Sequence, residues 1–182
     1  PSGNFEAAFS SDGRKMAIVL EQDQGADIFV SIWDGRVWSS PEPLIGVNSK
    51  FNERGPAFSL SGDKLFFSSD RDGGRGGYDI YVTSFDGEKW GSVLPLGPTV
   101  NTSSNETGPA PSMDESGLYF SSDREGNSDQ DIYYAKRGDS APNEESKFQE
   151  SIAVDDLNSR SDDIQAALTR RGSLVFMSSD RQ

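Results

Sequence analysis

The sequence predicts an all-β fold: a β-propeller of four-stranded antiparallel blades, with three complete blades and a half blade. Three observations lead to this expectation. Short apolar segments alternate with turn residues, one unit recurs along the chain, and a strand within that unit is apolar on both faces. A sheet that is repeated with a period of about 50 residues is typical of propellers.

The repeat is visible in short motifs that return at nearly constant spacing. Three Asp-Ile pairs follow one another at intervals of 52 residues, and Trp38 and Trp90 are separated by the same interval. The motif SSDR also occurs three times, and Asn-Glu-Arg-Gly-Pro-Ala at 52–57 returns as Asn-Glu-Thr-Gly-Pro-Ala. These repeats divide the chain into blades at approximately 4–49, 50–102, 103–159 and 160–182.

The second copy shows the first two strands of a blade most clearly. Residues 55–59 are small, as expected of a strand that is crowded near a central axis, and 60–63 form a turn. Residues 65–69 form the second strand. Leu65 and Phe67 point to one face and Phe66 to the other, so both faces are expected to be buried between neighbouring sheets.

The third and fourth strands of this copy follow a glycine-rich segment at 71–77. We interpret that segment as a connection, because its glycines permit unusual backbone angles and no phosphate-binding helix or Walker lysine follows. Residues 78–84 are the third strand, Asp86-Gly87 is a hairpin signal, and 89–96 with Trp90 is the fourth strand.

Composition excludes several classes of function. The formal charge is −13 and no basic run is present, so nucleic acid is not an expected partner. The chain has no Cys and no His, which removes thiolate and imidazole zinc sites, a Cys nucleophile and a His base. No apolar run is long enough for a transmembrane helix.

The motifs GPAFS, LFFSSDR and GGYDIYV, followed by Trp90, resemble the TolB-type, WD-like propeller repeats of bacterial envelope proteins. The third copy is similar, although it lacks the fourth-strand Trp, and the first copy lacks SSDR. The resemblance implies a periplasmic, outer-membrane-associated or extracellular location. Since the fourth copy stops after two strands, we expect the remaining blades to come from the same parent chain or another chain.

Aspartate and arginine recur at equivalent positions of the copies. A residue required once in every blade generally holds that blade together, with carboxylates accepting backbone N–H groups and guanidinium groups pairing with neighbours. We therefore interpret these residues as structural. They are Asp70, Arg71, Asp79, Asp131 and Asp180, with their equivalents Asp27, Asp123, Arg124 and Arg181.

One segment of the third copy, DREGNSDQD, is rich in the oxygen ligands that Ca²⁺ takes. Its spacing does not follow an EF-hand loop, and a solvated acidic loop is the alternative. Calcium is the one cofactor that the sequence suggests. The candidate ligands are Asp123, Glu125, Asn127, Asp129 and Asp131.

The linkers between blades carry asparagines in register, which suits turns capped by side chains. Such linkers lie at the end of a propeller channel where ligands are commonly held, so they are candidate partner-facing loops. The residues concerned are Asn48, Asn52, Asn101, Asn105 and Asn158.

These features predict a non-catalytic interaction module that binds a protein, peptide or glycan through its loops. A carbohydrate-active enzyme such as a glycosidase or a sialidase-like propeller is the first alternative, since paired carboxylates could lie in the channel. A calcium-dependent glycan-binding module is the second. Acidic side chains outside the repeat pattern that converge on the axis would favour an enzyme.

Overall fold

The computed structural model describes residues 6–124, 129–138, 147–159, 161–168 and 175–179. Throughout this part of the chain the regular structure is β-strand, and no helix occurs in it. It therefore contains no helix long and apolar enough to cross a membrane. All strand pairs are antiparallel.

Three sheets have four strands each, in the order of the chain, and a further sheet has two. The first sheet comprises β1 (Ala7–Phe9), β2 (Lys15–Gln22), β3 (Gly25–Ile32) and β4 (Glu42–Pro43). The second comprises β5 (Glu53–Phe58), β6 (Lys64–Ser69), β7 (Asp79–Ser84) and β8 (Leu94–Pro95). The third comprises β9 (Glu106–Pro111), β10 (Gly117–Ser122), β11 (Asp131–Lys136) and β12 (Ile152–Ala153). The two-stranded sheet comprises β13 (Asp163–Leu168) and β14 (Val175–Ser179).

The apolar core lies between consecutive sheets. Leu65 and Phe67 belong to a cluster with residues of the first sheet, whereas Phe66 belongs to a second cluster with residues of the third sheet. The side chains of β6 therefore point alternately to two neighbouring sheets, as the sequence predicts. This arrangement confirms an all-β, partial β-propeller whose blades pack face to face.

The first strands of the blades approach one another closely. Gly55 of β5 and Gly108 of β9 both have positive φ, 58° and 55°. A Cβ added at Gly55 would lie 3.3 Å from the Cα of Gly108. Glycine is therefore required at this point by the backbone angle as well as by the contact between neighbouring strands.

The fourth strands are shorter than the sequence predicts. In the second sheet β8 covers only Leu94–Pro95, and Trp90 makes an isolated bridge with Phe85 instead of extending the strand. Asp86 closes the preceding turn by accepting hydrogen bonds from the backbone N–H groups of Glu88 and Lys89. The indole packs on Phe85 at 5.2 Å, so aromatic contact holds this segment where the strand ladder is missing.

The first sheet has an apolar outer face. Met16, Ile18 and Phe29 lie on the side away from the second sheet, and Phe9 beside them is 59% exposed. By strand register, Met16 and Ile18 are equivalent to Leu65 and Phe67, whose side chains pack against the preceding sheet. The outer face thus has the composition of a contact between blades.

Candidate functional site

Antiparallel blades place two kinds of connection at opposite ends of the propeller. One end, the linker end, carries the connections from second to third strands and the linkers that lead into the next blade, such as 70–78 and 96–105. The opposite end, the turn end, carries the connections 59–63 and 85–93 and their equivalents. Every candidate site residue that the sequence indicates and the structure describes lies at the linker end.

Three of the linker asparagines hold the linkers against the third strands. The side-chain oxygen of Asn101 accepts a hydrogen bond from the Ile80 N–H at 2.8 Å, and its amide nitrogen donates to the carbonyls of Ile80 and Leu96. Asn48 and Asn158 make the equivalent pair of bonds to Ile28 and Ile132. The amide oxygens satisfy third-strand N–H groups that would otherwise be left at a strand edge.

The other two asparagines join consecutive blades. Asn52 accepts a hydrogen bond from the Ala26 N–H of the first sheet, while its own N–H and amide nitrogen both donate to Asp70, each at 2.8 Å. Asn105 repeats this arrangement between Tyr78 and Asp123. Both oxygens of Asp70 and of Asp123 therefore accept hydrogen bonds within the protein.

Two fully buried glutamates, Glu53 and Glu106, anchor the starts of the second and third blades. Glu53 accepts hydrogen bonds from the N–H and hydroxyl of Ser49, from the hydroxyl of Ser69 and from Arg71, whose Nη2 lies 2.9 Å away. The Arg71 guanidinium also donates to the Val47 carbonyl and stacks on the Phe67 ring.

The third blade repeats this network. Glu106 is bonded to Thr102, Ser122 and Arg124, which lies over the rings of Phe120 and Tyr133. Burial lowers the pKa of Arg124, and the charge of Glu106 opposes that shift. Sequence reasoning assigned no role to either glutamate, although each occupies the same place in the repeated Asn-Glu-x-Gly-Pro-Ala motif.

An axial cavity of about 200 Å³ opens at the linker end between the first strands. Arg54 and Thr107 line it at equivalent positions of two blades, and Glu6 lies beside Arg54. Arg54 Nη1 is 3.5 Å from Glu6, and Nη2 donates a 2.6 Å hydrogen bond to Glu21. The cavity is thus lined largely by repeat-equivalent residues, and its acidic wall is paired with an arginine.

Tyr78 also lines the axial cavity, at the position equivalent to Gln130. Burial and the charge of Asp70 raise the pKa of the Tyr78 hydroxyl, with a hydrogen bond to Arg54 opposing them. The phenol therefore remains protonated near neutral pH and can donate or accept a hydrogen bond at the cavity wall.

A second cavity, of about 300 Å³, lies beside the glycine-rich connection of the second blade. We call it the loop cavity. Gly73, Gly74 and Arg75 line one side, and Pro95, Leu96 and the buried Asp79 complete the wall together with Asn101. Asp79 Oδ2 accepts hydrogen bonds from the N–H groups of Arg75 and Gly76, which fixes the path of the connection over the carboxylate.

The described charges are distributed unequally between the two ends. At the linker end the basic residues are Lys50, Arg54, Arg71, Arg75 and Arg124. The acidic residues there are Glu6, Glu21, Asp23, Asp27, Glu53, Asp70, Asp72, Asp79, Glu106, Asp123, Asp129, Asp131, Asp155, Asp156, Asp162 and Asp163. At the turn end, the described acidic and basic residues are nearly equal in number.

At the turn end the described basic residues are Arg14, Lys15, Arg36, Lys64, Lys89, Lys136, Arg137 and Lys147. Its acidic residues are Asp12, Asp34, Glu42, Asp63, Asp86, Glu88, Asp114, Glu115 and Glu150. The net negative charge of the described chain is therefore concentrated at the linker end, where it attracts cations and repels anions.

The candidate calcium ligands are only partly described. Glu125 and Asn127 lie outside the described residues, as does the recurring Asp180. Asp123 is hydrogen-bonded through both oxygens to Asn105. Within the described ranges, no group of three or more acidic side chains is arranged to hold a metal ion. Calcium binding by Asp129 and Asp131 together with their neighbours stays a prediction.

Comparisons with known proteins concern the fold. No family model matches the sequence, and no curated protein matches it. The crystal structure of TolB from Acinetobacter baumannii is similar with a TM-score of 0.59 and 16% identity, over 94% of this chain and 36% of that chain. A structure described as TolB of Agrobacterium tumefaciens is similar with a TM-score of 0.62 and 18% identity, over 98% of this chain and 58% of that one.

The chain thus spans between about a third and three fifths of the two TolB chains to which it is similar. At these identities the likeness concerns the fold and not the activity. The motifs LFFSSDR and GGYDIYV correspond to strands β6 and β7 and the connection between them. The chain has the fold of the TolB-type β-propellers, as the resemblance of its repeats predicts.

Proposed function

We propose that this chain is a non-catalytic interaction module of the bacterial cell envelope that binds a protein, peptide or glycan partner at its linker end. The observation that carries the proposal is the concentration of negative charge at that end, around two cavities of about 200 and 300 Å³. Binding sites are typically concave, with a few polar groups that give orientation.

The lining of the axial cavity favours binding over catalysis. An enzyme would need acidic side chains outside the repeat that converge on the axis, with different environments for acid and base. Within the described lining, Glu6 is the acidic residue, and it is paired with Arg54. The buried Glu53 and Glu106 are bonded to arginine and hydroxyl groups instead of facing the cavity.

The charge of the linker end favours a partner with positive charge on the contacting surface. Opposite charges increase the rate of association and are screened by salt within about 8 Å at physiological ionic strength. Binding is therefore expected to weaken as salt concentration increases. The envelope location is supported by the resemblance of the repeats to those of TolB-type proteins.

The outer face of the first sheet supports a further part of the proposal. Because Met16 and Ile18 are equivalent to the residues of β6 that pack against the preceding blade, we propose that another blade of the same repeat covers them. That blade would come from the parent chain or from another chain. The matching surface on it is the face occupied by Phe66, Ile80 and Val82 in the second blade.

A site-specific photo-crosslinking experiment in native cells tests the function. A photoreactive amino acid replaces exposed Asp72 at the linker end or exposed Glu88 at the turn end of the same blade, in the full natural chain. We expect a discrete adduct with a partner from position 72 and none from position 88. Adducts from position 88 alone, or from neither position, would overturn the proposal.

A further inference from the structure

The carboxylate of Asp79 is buried and only half satisfied by the protein. The residue is 1% exposed. Oδ2 accepts hydrogen bonds from Arg75 N–H at 2.8 Å and Gly76 N–H at 3.1 Å, whereas no described residue donates a hydrogen bond to Oδ1. A buried carboxylate oxygen without a donor is costly, since charge removed from water requires a compensating partner.

A second buried polar atom lies under the same part of the connection. The hydroxyl of Tyr81 has no hydrogen-bond partner among the described residues. A Cβ added at Gly74 would lie 2.1 Å from Asp79 Oδ2 and 3.1 Å from Tyr81 Oη. Glycine at this position therefore lets the backbone pass directly over both groups, with Asp79 in the wall of the loop cavity and Tyr81 beneath the connection.

The neighbouring cation makes no described hydrogen bond to this carboxylate. The Arg71 guanidinium lies over the Tyr81 ring, with Cζ 4.8 Å from the ring centre. Its described hydrogen bonds go to Glu53, Ser69 and the Val47 carbonyl. The Asn101 amide in the cavity wall is likewise committed to backbone groups. Asp79 Oδ1 is therefore the acceptor that remains for a ligand in the loop cavity.

We propose that the loop cavity binds a primary ammonium group, with Asp79 Oδ1 and Tyr81 Oη each accepting one of its N–H groups. An ammonium is compact, carries three donors and supplies the positive charge that a buried carboxylate lacks. The inference rests on the proposed function and deepens it, because it names the chemistry of the partner at the linker end. The group could belong to a free small amine or to a lysine side chain of a peptide.

The site does not occur in every repeat, although the third blade has the same residue types, Asp131 and Tyr133, at the equivalent positions. In the first blade the equivalent residues are Asp27 and Phe29, so the phenol is missing, and the connection between second and third strands is only two residues long. Phe29 also shows that a phenylalanine is compatible with the strand position of Tyr81.

Titrations monitored by amide NMR shifts test the inference with two cations of equal charge. Methylammonium has N–H donors, whereas tetramethylammonium has none. At constant ionic strength, we expect methylammonium to produce saturable shifts at the amides of Arg75, Gly76 and Asp79, and tetramethylammonium to produce none there. Equal effects of the two cations, or no saturable shift with methylammonium, would overturn the proposal.

Three variants locate the binding. Asp79→Asn keeps an acceptor for the loop amides but loses the charge, and it should abolish the methylammonium shifts. Tyr81→Phe removes one acceptor and should weaken binding about threefold to tenfold, the range for one hydrogen bond. Asp72→Asn removes an exposed charge from the same connection and should leave the affinity unchanged. Unaltered binding in the first two variants contradicts the assignment, and Tyr81→Phe keeps the test valid if Asp79→Asn does not fold.

Two further comparisons distinguish a lysine side chain from a free amine as the ligand, and test the ammonium site separately from the interaction function. A blocked lysine peptide should compete with methylammonium if the natural ligand is a lysine side chain, and its Nε-acetylated form should not. Competition by methylammonium without competition by the peptide assigns the site to a free amine. If position 72 forms the crosslink while methylammonium does not bind, the interaction function stands and the ammonium site is wrong. If methylammonium binds while position 72 forms no crosslink, only the interaction function is refuted.

Discussion

Arg71 Nη2 lies 2.9 Å from Glu53 Oε1, and the Glu53 side chain is fully buried. The equivalent pair in the third blade, Arg124 and Glu106, has a separation of 3.3 Å and the same exposures. In both blades the arginine also donates to a linker carbonyl, Val47 or Val100. One ion pair thus ties the first strand of a blade to the linker that leads into it.

Replacing Arg71 by Leu should destabilise the protein by about 3–5 kcal/mol, because the change leaves a buried carboxylate without its cation. Urea denaturation measures the change in the free energy of unfolding. The matched control is Lys50→Ala, which breaks the exposed pair with Asp72 at 3.4 Å and should cost less than about 1 kcal/mol. Equal losses in the two variants would show that the buried pair contributes little.

Asn101→Ala should destabilise the second blade by removing the partner of the Ile80 N–H and of the Leu96 C=O. Each unsatisfied buried polar group costs about 1–3 kcal/mol. Hydrogen exchange of the Ile80 amide should increase strongly, because Asn101 Oδ1 is its acceptor. Asn48→Ala should have a smaller effect, since Asn48 is less buried. An unchanged Ile80 exchange rate would contradict the role of the side chain.

The fold could be predicted because the same pattern of strands and turns occurs in several copies along the chain. The opposite orientations of Phe66 and Phe67 followed from strand alternation, and the two core clusters confirm them. The length of the fourth strand could not be predicted from its residues. Phe85 and Trp90 have high strand propensity, yet they form only an isolated bridge at the sheet edge, where their rings pack against each other.

The polar residues of the linker end were harder to interpret from sequence. A glutamate in a polar linker such as 48–54 normally faces solvent, so Glu53 gave no sign of burial apart from its recurrence as Glu106. The asparagines were recognised as recurring, but their partners in the third strands depend on contacts across 20 or more residues, for example 21 for Asn101 and Ile80. The sequence also gives no sign that Asp79 Oδ1 and Tyr81 Oη are buried without a described hydrogen-bond partner, because this depends on the path of the connection above them.

Gly55→Ala should be more destabilising than Gly13→Ala. Both glycines have positive φ, 58° and 68°, so each substitution incurs a similar backbone penalty of about 1–2 kcal/mol. A Cβ at Gly13 meets no atom within 4 Å, whereas a Cβ at Gly55 lies 3.3 Å from Gly108 Cα. The difference between the two variants in urea denaturation therefore measures crowding between blades. Identical losses would mean that the first strands move apart without strain.

Asp27→Asn should stabilise the protein at neutral pH. The pKa of the Asp27 carboxyl is raised above its ordinary value of 3.8, because burial disfavours its charge and because Glu53 repels it and shares a hydrogen bond with it. The folded protein then holds this proton more tightly than the unfolded chain, so its stability decreases as the pH increases from 3.8 through the raised pKa. Asparagine has no charge and keeps a donor toward Glu53. The difference in the free energy of unfolding between variant and parent should therefore grow across that window and stay constant above it.

The control for Asp27 is Asp114, whose pKa is lowered to about 2 by hydrogen bonds from the side chains of Ser116 and Ser112 and from the Ser116 N–H. Here the folded protein favours the ionised form, so the stabilisation is present above pH 3.8 and is lost as the pH falls toward 2. Asp114→Asn should consequently lower stability at neutral pH and have less effect in acid. Thermal unfolding followed from pH 2 to pH 7 distinguishes the two signs. Parallel curves for Asp27→Asn and the parent protein would show that the carboxyl near Glu53 titrates as it does in the unfolded chain.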